Sequence, residues 1–89
     1  MTIKNQIQLK LQDAFSPLTL EIEDQSHLHA NHWEGEHKEG THLKIYMVSS
    51  VFENLSKVHC HQRVYEVLKE ELQTRVHALS LILKAPSEL

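Results

Sequence analysis

Val76-His77-Ala78-Leu79-Ser80-Leu81-Ile82-Leu83 is the last apolar run of the chain and reads as a strand. Period-2 alternation puts His77, Leu79, Leu81 and Leu83 on one face. An imidazole therefore heads an aliphatic stripe. Two readings stand for it. It is a hydrogen-bonded histidine at the rim of the core, capping the Arg75–Val76 turn, or it is a metal ligand or partner contact.

Working outward, the stretch before this strand is helical. Ser56 is a suitable N-cap, and a helix is expected from Lys57 to about Thr74, with a break near Gln62–Arg63. His61, Val64 or Tyr65, Leu68 and Leu72 give its buried stripe, while Glu66, Lys69, Glu70 and Gln73 point to solvent. Ahead of it, Thr41–Val48 alternates, with Leu43, Ile45 and Met47 facing inward. Strand, helix and final strand make a β–α–β unit, whose two strands run parallel.

The first half completes the sheet. Ile3, Ile7, Leu11 and Ala14 mark an amphipathic helix from Thr2 to about Phe15, ended by Ser16-Pro17. Leu18–Asp24 alternates, with Leu18, Leu20 and Ile22 inward, and forms a hairpin with Thr41–Val48. Between these strands, residues 25–40 hold four histidines, Trp33 and both glycines of the chain. A connection this long is commonly functional. The expected architecture is one α+β domain over residues 1–89, with three strands in a mixed sheet and helices on one face. Residues 84–89 form a short tail in which Pro86 stops strand pairing.

Composition narrows the function. The 89 residues, 40% hydrophobic and 24% charged, suit an ordinary globular domain. No apolar run nears the ~20 residues of a membrane span. Met1–Gln6 lacks the layout of a signal peptide, so a cytoplasmic location is expected. Cys60 is the lone cysteine, which fits a reducing compartment and gives no disulfide. A net charge of −3 argues against strong non-specific nucleic-acid binding. No nucleophile setting or phosphate-binding glycine fingerprint is present, so an enzyme is not expected.

Eight histidines are the compositional oddity. His27, His29, His32, His37 and His42 are clustered, and His59-Cys60-His61 looks like a metal triplet. On a helix those three consecutive side chains diverge by ~100° each and do not converge on one ion.

The second half also resembles a known family. Gly40-Thr41-His42-Leu43-Lys44-Ile45, then Val48-Ser49-Ser50 and Phe52-Glu53, then His61, Val64-Tyr65, Leu68 and Glu70-Glu71-Leu72, and finally Val76-His77-Ala78-Leu79-Ser80 are similar to the motifs of the BolA family. Asp24-Gln25-Ser26 resembles its acidic step before the loop. The resemblance spans about Leu11 to Pro86. It implies a class II KH-like fold, α–β–β–α–α–β. It also implies a monothiol glutaredoxin partner and a shared [2Fe–2S] cluster, to which the glutaredoxin and glutathione bring thiolates and this chain brings nitrogen.

Residue by residue, the resemblance makes His77 the family's ligand histidine and His29 the second, loop ligand, and aligns His61 with the centre of an Arg-His-Arg motif. Cys60 and Gln62 replace the two arginines, and Arg63 partly restores the charge. The loop is a few residues longer than usual, so His27, His32 and His37 stay open as second ligands. His61, Arg63, Trp33 and Pro86 are the expected partner contacts. Alone, the chain is expected as a monomer or weak homodimer. The alternative is a KH-like DNA-binding regulator, although no Gly-x-x-Gly loop lies between the helices. A third reading is zinc or copper binding by His27, His29 and His32.

Overall fold

The computed structural model describes residues 2–25 and 42–89. Helix α1 spans Ile3–Phe15, with the Thr2 hydroxyl accepting from the Asn5 N–H at 3.1 Å. Its buried stripe is Ile3, Ile7, Leu11 and Phe15, a strict four-residue rhythm. Ala14, the expected last member, is exposed, because a rhythm of four reaches Phe15 instead. Ser16 closes the helix in the left-handed region at φ 42°, donating to the Gln12 carbonyl at 3.0 Å.

Strand β1 is Thr19–Asp24, β2 is His42–Val48 and β3 is Ala78–Lys84. The sheet order is β1-β2-β3. β1 pairs antiparallel with β2, from Thr19 opposite Val48 to Asp24 opposite Leu43. β3 pairs parallel with β2, from His42 opposite Ala78 to Val48 opposite Lys84. Leu18 was expected inside but is 71% exposed. The Leu18 N–H already donates to the Val48 carbonyl at 2.8 Å, but the ladder starts at Thr19 and the Leu18 side chain stands out beyond the core.

Core depth follows position in the sheet. On central β2, Leu43, Ile45 and Met47 are fully buried. On the edge strands, Leu20, Ile22, Leu79 and Leu81 are half-buried, and only Leu83 is fully covered. Thr19, Glu21, Glu23, Ala78, Ser80 and Ile82 are exposed on the other face, so the helices cover one side.

After β2, Ser49 is fully buried. Its hydroxyl donates to the Phe15 carbonyl at 2.7 Å and accepts from the Val51 N–H at 3.2 Å, starting a short 3₁₀ turn over Ser50–Phe52. Phe52 then meets Phe15 with ring centroids 5.3 Å apart.

Helix α2 is Lys57–Val67 and α3 is Lys69–Thr74, with Ser56 capping α2 as expected. The break falls at Leu68 (φ −99°, ψ 17°), not at Gln62–Arg63. The helix runs unbroken through Arg63 because Cys60, Val64 and Leu68 keep a buried stripe in register at every fourth residue. His61 is one position off that stripe and only half-buried, so it is not the core residue the spacing suggested; of Val64 and Tyr65, it is Val64 that is buried, while Tyr65 is exposed.

β3 starts two residues later than its sequence pattern suggests. The Val76 N–H is held by the Glu71 carbonyl at 2.8 Å, which ties it to α3. The inward parity of Leu79, Leu81 and Leu83 is as expected. Beyond β3, strand pairing stops and the short tail forms a 3₁₀ turn over Pro86–Glu88. Glu88 accepts from the Ala85 N–H at 2.9 Å and pairs with Lys57 at 2.6 Å. Among the described residues, no helix is long and apolar enough to cross a membrane.

Candidate functional site

His77 sits on a bend between α3 and β3 and is exposed. Its neighbours fix the main chain around it. The Glu71 carbonyl accepts from both the Arg75 N–H (2.9 Å) and the Val76 N–H (2.8 Å). The turn is therefore capped by α3 and not by the imidazole. Val76, 4% exposed, anchors the bend in the core.

A second clamp holds Glu71 by its side chain. Glu71 is 1% exposed and carries a carboxylate. Lys10 lies 3.0 Å from one oxygen and 2.8 Å from the other, and Gln6 donates at 2.7 Å. Burial pushes the Glu71 carboxyl up. The hydrogen bonds from Lys10, its own backbone and Gln6 outweigh that and hold it below the usual carboxylate value. The same hydrogen bond raises Lys10 above the ordinary lysine value.

The register brings His77 to one end of the sheet with the two residues that flank residues 26–41. His42, the first residue of β2, pairs with Ala78, the residue after His77. The Gln25 N–H donates to the His42 carbonyl at 2.7 Å. His29, Trp33, His27, His32 and His37 lie outside the described residues. Among the described residues no group of three or more His, Cys, Asp or Glu side chains could hold a metal. His77 presents an exposed imidazole at this end of the sheet.

The other expected contact residues do not gather around it. Pro86 lies beyond the far end of β3, roughly 25 Å from His77 at ~3.3 Å per residue. His61 and Arg63 occupy different flanks of α2. Arg63 lines a cavity of about 520 Å³ with Ala14, Phe15, Val51, Leu55 and Glu66, between α1 and α2. His61 lies on the opposite flank with Lys57, Val58 and Tyr65, its ring edge-on to Tyr65 at 6.4 Å. Cys60 is buried, and that burial raises its thiol above the ordinary value.

Sequence reasoning missed Glu71. A signal was available: it falls three residues after Leu68 and seven after Val64, on the apolar stripe, while Gln6 and Lys10 stand at i and i+4 on α1.

The element order and the mixed three-stranded sheet define a class II KH-like α+β domain. Its sequence narrows this further, since the BolA-like protein family matches residues 11–88, and the chain belongs to that family. It is 43% identical over 88 residues to the DNA-binding transcriptional regulator BolA of Haemophilus influenzae, covering 99% of this chain and 82% of that protein. It is 44% identical over 81 residues to the chloroplastic protein BOLA1 of Arabidopsis thaliana, covering 89% of this chain but 51% of the relative. Among solved structures, BolA1 from Arabidopsis thaliana superposes with a TM-score of 0.88 at 38% identity, covering 100% of this chain and 98% of the other. The BolA domain of SufE1 from the same plant gives 0.87 at 34%, covering 100% and 99%.

Proposed function

We propose that this chain pairs with a monothiol glutaredoxin and supplies nitrogen ligands to a shared [2Fe–2S] cluster, in cluster assembly, transfer or sensing. His77 is one ligand and a histidine of residues 26–41, His29 first among them, is the other. The observation that carries the reading is the exposure of His77 at the sheet end where Gln25 and His42 bond to each other. Both flanks of the histidine-rich segment therefore enter beside it.

Imidazole in place of thiolate raises a cluster's potential and makes its ligation pH-sensitive. The chain's own part is to hold the His77 main chain still. The two N–H groups on the Glu71 carbonyl and the burial of Val76 serve that purpose. The test is to mix the chain with a monothiol glutaredoxin, glutathione, ferrous iron and sulfide. A heterodimer with a visible spectrum distinct from that of the glutaredoxin alone is expected. If His77→Ala leaves that spectrum and its lifetime unchanged, the ligand assignment is wrong.

The name of the Haemophilus influenzae relative favours a second reading, a DNA-binding regulator. Against it stand the net charge of −3 and the junction of α2 and α3 at the single residue Leu68, with no glycine loop. A salt titration separates the two. Sequence-selective DNA binding that persists at physiological salt favours the regulator.

A further inference from the structure

We infer that Gln6 and Lys10 of α1 are positioning residues for His77, acting through the buried side chain of Glu71; this rests on the ligand role proposed for His77. α3 is six residues long, and among the described residues no side chain caps its start. A helix of that length does not hold itself in water, so its place is set by what it packs on. Glu71 is its buried residue, while Leu72 is half-buried and the other four are exposed. The last element before His77 is therefore seated by a carboxylate.

Glu71 joins two sets of bonds. Its side chain reaches back to α1, where Lys10 lies 3.0 Å from Oε1 and 2.8 Å from Oε2, and Gln6 donates to Oε2 at 2.7 Å. Its carbonyl reaches forward and accepts the Arg75 and Val76 N–H groups at 2.9 and 2.8 Å. His77 follows directly. α1 is the firm member of the chain of contacts, because Ile7 and Leu11 are 0% exposed and the Ser49 hydroxyl ties the Phe15 carbonyl. Gln6 and Lys10 stand one helical turn apart and together hold both carboxylate oxygens. That fixes the rotation of α3 about its own axis as well as its distance from α1. Rotation decides where the Glu71 carbonyl sits. Val76 in the core sets the depth of the bend, and the carbonyl sets its direction.

Stability alone does not account for a charge at this position. Glu71 continues the buried stripe of Val64 and Leu68, where an apolar side chain would pack as well. A buried ion pair is commonly no better for stability than apolar side chains of similar size. What the pair adds is geometry. A carboxylate held by two donors accepts one orientation, where an apolar contact accepts several. Metal sites respond at that scale: losing a group that orients a ligand costs about ten- to hundredfold in metal affinity.

Two measurements test this: residue-resolved hydrogen exchange on the chain alone, and cluster lifetime in the heterodimer formed with a monothiol glutaredoxin, glutathione, ferrous iron and sulfide. Lys10→Met is expected to speed exchange of the Arg75 and Val76 amides by ~tenfold or more, with the Leu11 and Val64 amides unchanged. The cluster lifetime should shorten by ~tenfold, and Lys10→Arg should restore both. Gln6→Ala repeats the test should Lys10→Met misfold. Lys10→Met combined with Glu71→Met separates position from stability. This apolar pair is expected to return the urea midpoint to that of the wild type, while the cluster lifetime stays short and its visible circular dichroism stays altered. An apolar pair with wild-type amide exchange and wild-type cluster lifetime overturns the proposal. Failure of the ligand reading shows differently, as a wild-type chain that forms no cluster heterodimer. Failure of the positioning role shows as a normal wild-type cluster with Arg75 and Val76 exchange unchanged in folded Lys10→Met.

Discussion

The Lys10 ammonium lies 2.8 Å from the Glu71 carboxylate and joins the third turn of α1 to the first turn of α3. Lys10 is partly open to solvent and Glu71 is not, so the pair is a buried anion held by a surface cation. Lys10 also reaches toward exposed Glu70, at 3.9 Å, a contact too open to carry much.

Glu71→Gln is expected to destabilise the fold by about 1–3 kcal/mol at neutral pH, from lost charge-assisted hydrogen bonds in a buried site. The Glu71 carboxyl is held below its ordinary 4.5 in the folded chain. Its contribution is present above 4.5 and fades as pH falls through that lowered value. Thermal melts between pH 7 and pH 3 check this: the gap between wild type and variant should close on the acid side. A constant gap refutes the electrostatic account.

Ser49→Ala removes a buried hydroxyl that joins the end of α1 to the 3₁₀ turn after β2. The Phe15 carbonyl and the Val51 N–H lose their partner together. A loss of about 1–3 kcal/mol in urea unfolding is expected, with the slope unchanged.

Cys60 should be inert in the folded chain. It is 2% exposed, and burial raises its thiol above 9.0. Reaction with an aromatic disulfide reagent at neutral pH is expected to be slow and to become fast on adding denaturant. Rapid labelling of the native chain would contradict the packing of α2 against the sheet.

His77→Ala separates folding from function. The side chain is exposed and has no hydrogen-bond partner among the described residues. Its removal is expected to shift stability by less than about 0.5 kcal/mol. The cluster spectrum proposed above should be lost in the same variant. Val76→Ala is the control in reverse, since it leaves the imidazole and is expected to cost about 1–3 kcal/mol by opening a gap in the core.

The sheet was legible in the sequence because strands repeat every two residues. Leu43, Ile45 and Met47, and Leu79, Leu81 and Leu83, could face only one way. Helices were read less well because a period of 3.6 lets either of two neighbours join the stripe. Ala14 stood in for Phe15, and His61 for Cys60, and in each case four-residue spacing from the last firm core position decided. The Leu68 junction was hidden because it depends on backbone angles and not on a proline or glycine. The histidine motif was legible through its family. What the sequence could not show is that a carbonyl of α3 does the capping, which leaves the imidazole exposed.

The parallel pairing of β2 with β3 also orders events during synthesis. The central strand receives its second neighbour only after all of α2 and α3 has emerged, since β3 follows both in the chain. Until then β2 has one open side and Leu43, Ile45 and Met47 lack part of their cover, a state prone to mispairing. Their cover is complete only with Leu83 and Ala85, the last buried residues of the core.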